Sequence, residues 1–133
     1  ALPKESPNDG DRTIEINPAA KGNPIASPFG WHDVDGVEGA DFTTTRGNNV
    51  CAQTDLNADN SDCGQLSDDG IDEVQPDGGA ALDFTGALVP LDLDTQSPAD
   101  YRAAAVVNLF YWNNIMHDIL YQYGFDEVAG NFQ

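Results

Sequence analysis

Residues 98–123 constrain this chain more than any other stretch. They follow Ser97-Pro98-Ala99-Asp100, in which Ser97 suits an N-cap, Pro98 the first helical position and Asp100 the reciprocal capping position. They stop at Gly124, a residue that takes the left-handed conformation of a helix C′ position without steric cost. Between these signals Val106, Val107, Leu109, Phe110, Trp112, Ile115, Met116, Ile119, Leu120 and Tyr123 cannot share one narrow stripe. The pattern predicts a single long helix, apolar around most of its circumference and therefore central and buried.

The remainder is built differently. Residues 1–28 carry Pro3, Pro7, Pro18, Pro24 and Pro28 and form an extended arm, with one alternating run, Thr13-Ile14-Glu15-Ile16-Asn17, suited to an edge strand. Residues 29–96 form an acidic, loop-rich and β-rich region. The run Phe42-Thr43-Thr44-Thr45 favours strand, and Gly47-Asn48-Asn49 supplies turn residues, so two or three strands are expected there. Residues 54–79 are dense in Asp and Gly without apolar periodicity and predict long irregular loops. Two strand-like runs follow, at 80–84 and 87–93, the second interrupted by Pro90. The expectation is an α+β chain of short antiparallel strands and long acidic loops, then the helix and tail at 97–133, the three parts together making one domain.

In 133 residues, 23 acidic against 5 basic side chains give a formal charge of -18, which repels phosphate backbones and anionic lipid surfaces. Neither nucleic acid nor membrane is an expected partner, and no stretch approaches the ~20 apolar residues of a membrane span. The opening Ala-Leu-Pro-Lys-Glu lacks the basic and apolar regions of a signal peptide and suits a mature or trimmed start. Cys51 and Cys63 stand in a polar stretch and are expected to form a local disulfide, worth about 3 kcal/mol by loop closure, with two reduced thiols as the alternative. The disulfide points to an oxidising, extracellular compartment.

Asn113, Asn114, His117, Asp118 and Tyr121 recur at helical spacing and share a face. Buried amides and imidazoles need partners, so this face either docks the helix on neighbouring backbone or lines a wet cleft. The only histidines, His32 and His117, form no His-x-x-x-His pair for zinc, and no Gly-x-Ser-x-Gly elbow marks a serine nucleophile. His32, between Trp31 and Asp33, is expected at the surface or in a turn. Asp55, Asn57, Asp59 and Asp62 alternate oxygen ligands as a calcium loop does, although Asn60 and Leu66 stand where an EF-hand would need Gly and Glu. A solvated Asx-rich loop is the alternative. A weaker candidate of the same kind runs from Ser67 to Asp72.

Four segments resemble one known family. They are Ser27-Pro28-Phe29-Gly30-Trp31-His32-Asp33, Thr44-Thr45-Arg46-Gly47-Asn48-Asn49-Val50, Asn108-Leu109-Phe110-Tyr111-Trp112-Asn113-Asn114-Ile115-Met116-His117-Asp118 through Gly124-Phe125, and Gly130-Asn131-Phe132-Gln133. Together they resemble the opening of the peptidase domain of fungalysins, secreted zinc metalloendopeptidases related in fold to thermolysin. The resemblance implies a secreted enzyme made as a zymogen, an N-terminal subdomain, and a helix leading to the cleft. It also implies zinc held by a His-Glu-x-x-His helix and a downstream Glu, whose ligands lie outside these residues, since no His-Glu pair occurs in the chain. No catalytic residue is therefore carried over, and Asn113, Asn114, His117 and Asp118 are expected to line or support the cleft. The expected function is that of an N-terminal peptidase fragment, inactive alone, partnered by the remainder of the domain and, through the parent, by protein or peptide substrates. The alternative is a non-catalytic, calcium-dependent secreted binding module on the same subdomain.

Overall fold

The computed structural model describes residues 22–56, 62–64, 74–88 and 94–131. The edge strand expected at 13–17 and the Ser67 to Asp72 candidate lie outside these residues, as does most of the 87–93 run.

One helix, α1 (Arg102–Gln122), dominates the architecture. Its start differs from expectation. Ser97 does not cap it; instead the Ser97 backbone N–H and hydroxyl both donate to Asp100 Oδ2 at 2.8 Å, closing a separate turn. The helix itself begins one turn later, with the Ala105 N–H donating to Tyr101 O at 3.0 Å. The residue at the N-cap is Tyr101, which makes no side-chain capping bond, and the Ser97–Asp100 pair bonds to itself before the helix starts. The helix end agrees with expectation. Gly124 has φ +88, its N–H donates to Tyr121 O, and the Phe125 N–H donates to Leu120 O, the paired bonds of a Schellman motif.

The helix is only half buried, which corrects the expectation of a helix buried all round. Ala104, Val106, Phe110, Asn114, His117 and Asp118 face inward. On the opposite side Leu109, Trp112, Met116, Ile119 and Tyr123 are between 48% and 87% exposed. These five positions follow one another at alternating intervals of three and four residues, which gives a continuous apolar stripe along the outer face.

Strands are largely replaced by turns. Among the described residues β-pairing is confined to two antiparallel bridges, Arg46 with Cys51 and Thr44 with Asp77. The first closes a tight hairpin: Gly47 N–H donates to Val50 O, Ala52 N–H to Thr45 O, and the buried Thr45 hydroxyl to Ala52 O. The Thr-rich run therefore pairs too briefly to form a sheet, because side-chain and turn bonds take up its backbone groups. The expected strand at 80–84 is instead a 3-10 turn, Gly79–Ala81, and a second, Thr85–Ala87, follows it.

The core lies where these turns meet α1. Trp31, Ala52, Val106 and Phe110 are its buried members, with Val50, Tyr111 and Ile115 packed against them. Trp31 meets Phe110 and Tyr111 edge-on, at centroid distances of 6.5 and 5.7 Å. Gly47 makes this packing possible, since a Cβ there would fall on the Trp31 carbonyl oxygen. The disulfide joins Cys51 to Cys63, and the Gln75 amide nitrogen lies 3.1 and 3.5 Å from the two sulfurs. None of the described helices is long and apolar enough to cross a membrane.

Candidate functional site

The polar face of α1 ends in a buried knot organised by Asp118. Its carboxylate accepts the Asn23 N–H at 2.7 Å, the Ser27 hydroxyl at 2.7 Å and the Trp31 indole N–H at 3.0 Å. The turn at 23–27 is preset for this by Asn23, whose side-chain oxygen takes the Ile25 and Ala26 N–H groups. His117 Nδ1 lies 3.1 Å from Asp118 Oδ1. A carboxylate accepts hydrogen bonds, so Nδ1 carries the proton, and Nε2 is left to accept from Asn131 Nδ2 at 3.2 Å. The Asn49 amide nitrogen donates to Ser27 Oγ at 3.4 Å and lies 3.1 Å from the same Nδ1, a neighbour of that N–H rather than its partner.

The knot thus draws together residues from all four segments singled out in the sequence. Of the predicted face, Asn114, His117 and Asp118 are buried, at 0%, 1% and 5% exposure, whereas Asn113 is half-buried. Asn113 and Asn114 each donate to the carbonyl four residues back, Leu109 and Phe110. Asn113 also borders a shallow groove of about 240 Å³ between α1 and the hairpin, lined by Asn49, Val50, Cys51 and Leu109. Tyr121 lies near the acidic pair Glu127 and Asp126, whose charge raises its phenol pKa.

Ser27, His117 and Asp118 meet here without forming a nucleophile. Ser27 is 7% exposed and donates to the carboxylate, while both ring nitrogens of His117 are engaged by other groups. A serine nucleophile needs the imidazole as its base, which is absent from this arrangement. The knot instead holds chain segments in register.

His32 does sit in a turn, but it is not a surface residue: it is 1% exposed. Its ring stacks on Phe84 at 5.7 Å and 10°, and tilts against Phe110 at 4.9 Å. Nδ1 lies 3.2 Å from Arg46 O, so it is the protonated nitrogen, and Nε2 has no hydrogen-bond partner among the described residues. Burial holds the His32 pKa below 6.5, against the smaller pull of the Arg46 and Thr44 carbonyls. No local sequence signal marks this burial, since Phe84 and Phe110 reach the ring only through the tertiary fold.

The calcium-loop expectation falls partly outside the described residues. Asp55 and Asp62 are exposed, and Asn57 and Asp59 lie outside the described residues. Among the described residues the carboxylates that converge are Asp33, Asp35 and Asp41, with oxygens within 4.8 Å of one another. They serve the turn they build, since Asp41 accepts the Val34 and Asp35 N–H groups, Asp33 that of Gly36 and Asp35 that of Val37. Zinc does not fit the described residues. His117 has both nitrogens taken, His32 is enclosed by aromatic rings, and the one convergent set is all oxygen, whereas zinc sites favour imidazole and thiolate.

The described residues thus hold a buried knot that joins four segments, beside a helix whose outer apolar stripe is exposed. Comparison with known proteins places this chain: the family model for Fungalysin metallopeptidase matches residues 1–133, and the chain belongs to that family. It is 39% identical over 131 residues to "Probable extracellular metalloproteinase 5" of Arthroderma benhamiae, covering 98% of this chain and 18% of that protein. It is 37% identical over 127 residues to "Extracellular metalloproteinase 2" of Phaeosphaeria nodorum, covering 96% and 17%. To "Extracellular metalloproteinase 2" of Arthroderma otae it is 39% identical over 107 residues, covering 80% and 14%. The chain therefore spans less than a fifth of the length of these relatives. No solved structure matches it. Nothing in these likenesses favours the calcium-dependent binding module.

Proposed function

We propose that this chain is the N-terminal portion of the catalytic unit of a secreted zinc metalloendopeptidase, a thermolysin-like subdomain that forms one wall of the substrate cleft and does not hydrolyse peptides alone. On this reading the arm at 1–28, the loop-rich region at 29–96 and the helix with its tail at 97–133 belong to one peptidase domain. The observation that carries it is the apolar stripe Leu109, Trp112, Met116, Ile119 and Tyr123, left open on the only long helix among the described residues. Covering such a face stabilises an assembly by roughly 1.5–3 kcal/mol for each large side chain fully buried, so the rest of the peptidase polypeptide is its natural occupant. The family's metal would be held by that polypeptide, which supplies the activated water. Asn114, His117 and Asp118 keep α1 in position, and Asn113 faces the groove.

Reconstitution tests this. The 133-residue chain is mixed with a separately produced remainder of a fungalysin peptidase bearing His-Glu-x-x-His, and hydrolysis of a protein substrate is followed with and without a chelator. Activity is expected only in the mixture, and Trp112→Gln with Met116→Gln is expected to abolish it. Activity of the chain alone, or stoichiometric zinc uptake by it, would overturn the reading. The same titration run with calcium tests the loop at Asp55, Asn57, Asp59 and Asp62.

A further inference from the structure

We propose that His32 is an acid-sensitive latch, and that protonation of its buried Nε2 releases residues 77–88 from the Thr43-Thr44 run and from the packed rings of His32 and α1. The geometry is that of a neutral imidazole used as a spacer. Nδ1–H is committed to Arg46 O, the His32 carbonyl accepts the Asp41 N–H, and the two ring faces are covered by Phe84 and Phe110. A second N–H placed at Nε2 would bring a charge and a donor to an atom that has no hydrogen-bond partner among the described residues, and the pull of the Thr44 carbonyl on the ring is smaller than the effect of burial.

The charged and titratable groups of the surrounding elements do not relieve this. On its own segment Asp33 and Asp41 are turned to the backbone N–H groups of Gly36, Val34 and Asp35. On the hairpin, the Arg46 guanidinium lies over the Phe42 ring at 4.2 Å. Beside Phe84, Asp83 accepts from Thr85 N–H and Asp77 from Gly79 N–H. On α1 the neighbour of Phe110 is Tyr111, packed on Trp31, while His117 and Asp118 belong to the knot. Attraction between an imidazolium and the Phe84 ring face offsets part of the penalty, yet burial remains the largest influence on this ring, which favours the neutral form.

The 77–88 segment is the joint that gives way. Its described attachments are the Gly78 N–H to Thr43 O bond, the Thr44 to Asp77 bridge with the Thr44 hydroxyl on Gln75, the stacked Phe84 ring, and the packing of the Thr85–Ala87 turn against α1. The other contacts of His32 are locked through the Gly47 approach to Trp31 and through the knot. The sign follows from linkage: the latch is fully closed above pH 6.5, and closure is lost as pH falls from 6.5 toward the depressed folded pKa.

The test is amide hydrogen exchange on the 133-residue chain between pH 8 and pH 4.5, read as protection factors. Gly78 protection is expected to fall below pH 6.5, by up to about tenfold per pH unit until the folded pKa is reached, while the Asn114 amide in the middle of α1 keeps its protection. His32→Asn, which retains a donor for Arg46 O and cannot titrate, is expected to keep Gly78 protection flat. Equal loss in both proteins, or flat protection in the wild type, overturns the latch. If H32N does not fold, the wild-type His32 ring resonance decides: a midpoint at or above 6.5 overturns the proposal, and one below it, together with the loss at Gly78, supports it.

Discussion

Asp118 is a single carboxylate that fixes the entry of the chain onto the helix. Four groups converge on it, and three come from residues 23–31. Deleting it leaves an indole N–H, a hydroxyl and a backbone N–H buried without an acceptor, whereas deleting Ser27 Oγ removes only one of the donors. Asp118→Ala is expected to cost about 3–5 kcal/mol, and Ser27→Ala about 1 kcal/mol. Urea denaturation of the two variants checks this, and equal losses would remove Asp118 from the centre of the knot. Gly47 makes a second demand at this scale. Gly47→Ala places a methyl group on the Trp31 carbonyl, and separating the hairpin from the Trp31 turn is expected to cost about 1–3 kcal/mol in the same assay. Helical spacing made it legible in the sequence that Asn114, His117 and Asp118 share a face. The partners of that face were not legible, because Asn23, Ser27 and Trp31 are brought to it only by the tertiary fold. The same holds for His32, whose burial depends on Phe84 and Phe110 rather than on its neighbours in sequence.

Helix α1 has two faces of different standing. Its composition alone suggests burial all round, since apolar residues occur on every side, and in this chain one side is covered. Phe110→Ala, on the covered side, is expected to cost about 3–5 kcal/mol, while Met116→Ala, on the open stripe, should change stability by no more than about 0.5 kcal/mol. Urea midpoints of the two variants decide between a two-faced helix and a uniformly buried one. The ends of the element were unequally legible. Gly124 announces the Schellman motif because only glycine enters that conformation cheaply. Ser97 and Asp100 carry capping chemistry but use it on each other. Two bonds from Ser97 hold the Asp100 pKa below 3.8, so the turn's contribution is present above pH 3.8 and is lost as pH falls through the lowered folded value. A pH titration of the Ser97 amide resonance should show that midpoint, and Asp100→Asn should abolish it. The short strands were over-read for a related reason. The β-propensity of Thr43, Thr44 and Thr45 is real, but Thr45 spends its hydroxyl on Ala52 and Arg46 pairs across a tight turn, leaving no length for a ladder.

At the scale of the whole molecule, the family was legible from four separated motifs, and the structure gives them a common reason: all four contribute to one knot. That knot also sets an order of events during folding. The bonds to Asp118 span 95, 91 and 87 residues, so each requires closing a loop whose entropic cost is about 4 kcal/mol before any contact repays it. Helix α1 needs only local contacts and forms on a microsecond scale, long before the Trp31 turn can find it. In a Trp112→Phe chain, where Trp31 is the sole indole, stopped-flow refolding should show helical ellipticity recovering ahead of Trp31 fluorescence. Coincident phases would mean that the turn and the helix condense together. If the phases separate, the chain passes through a state in which both faces of α1 are wet at once, and its residence there is set by a search over some ninety residues.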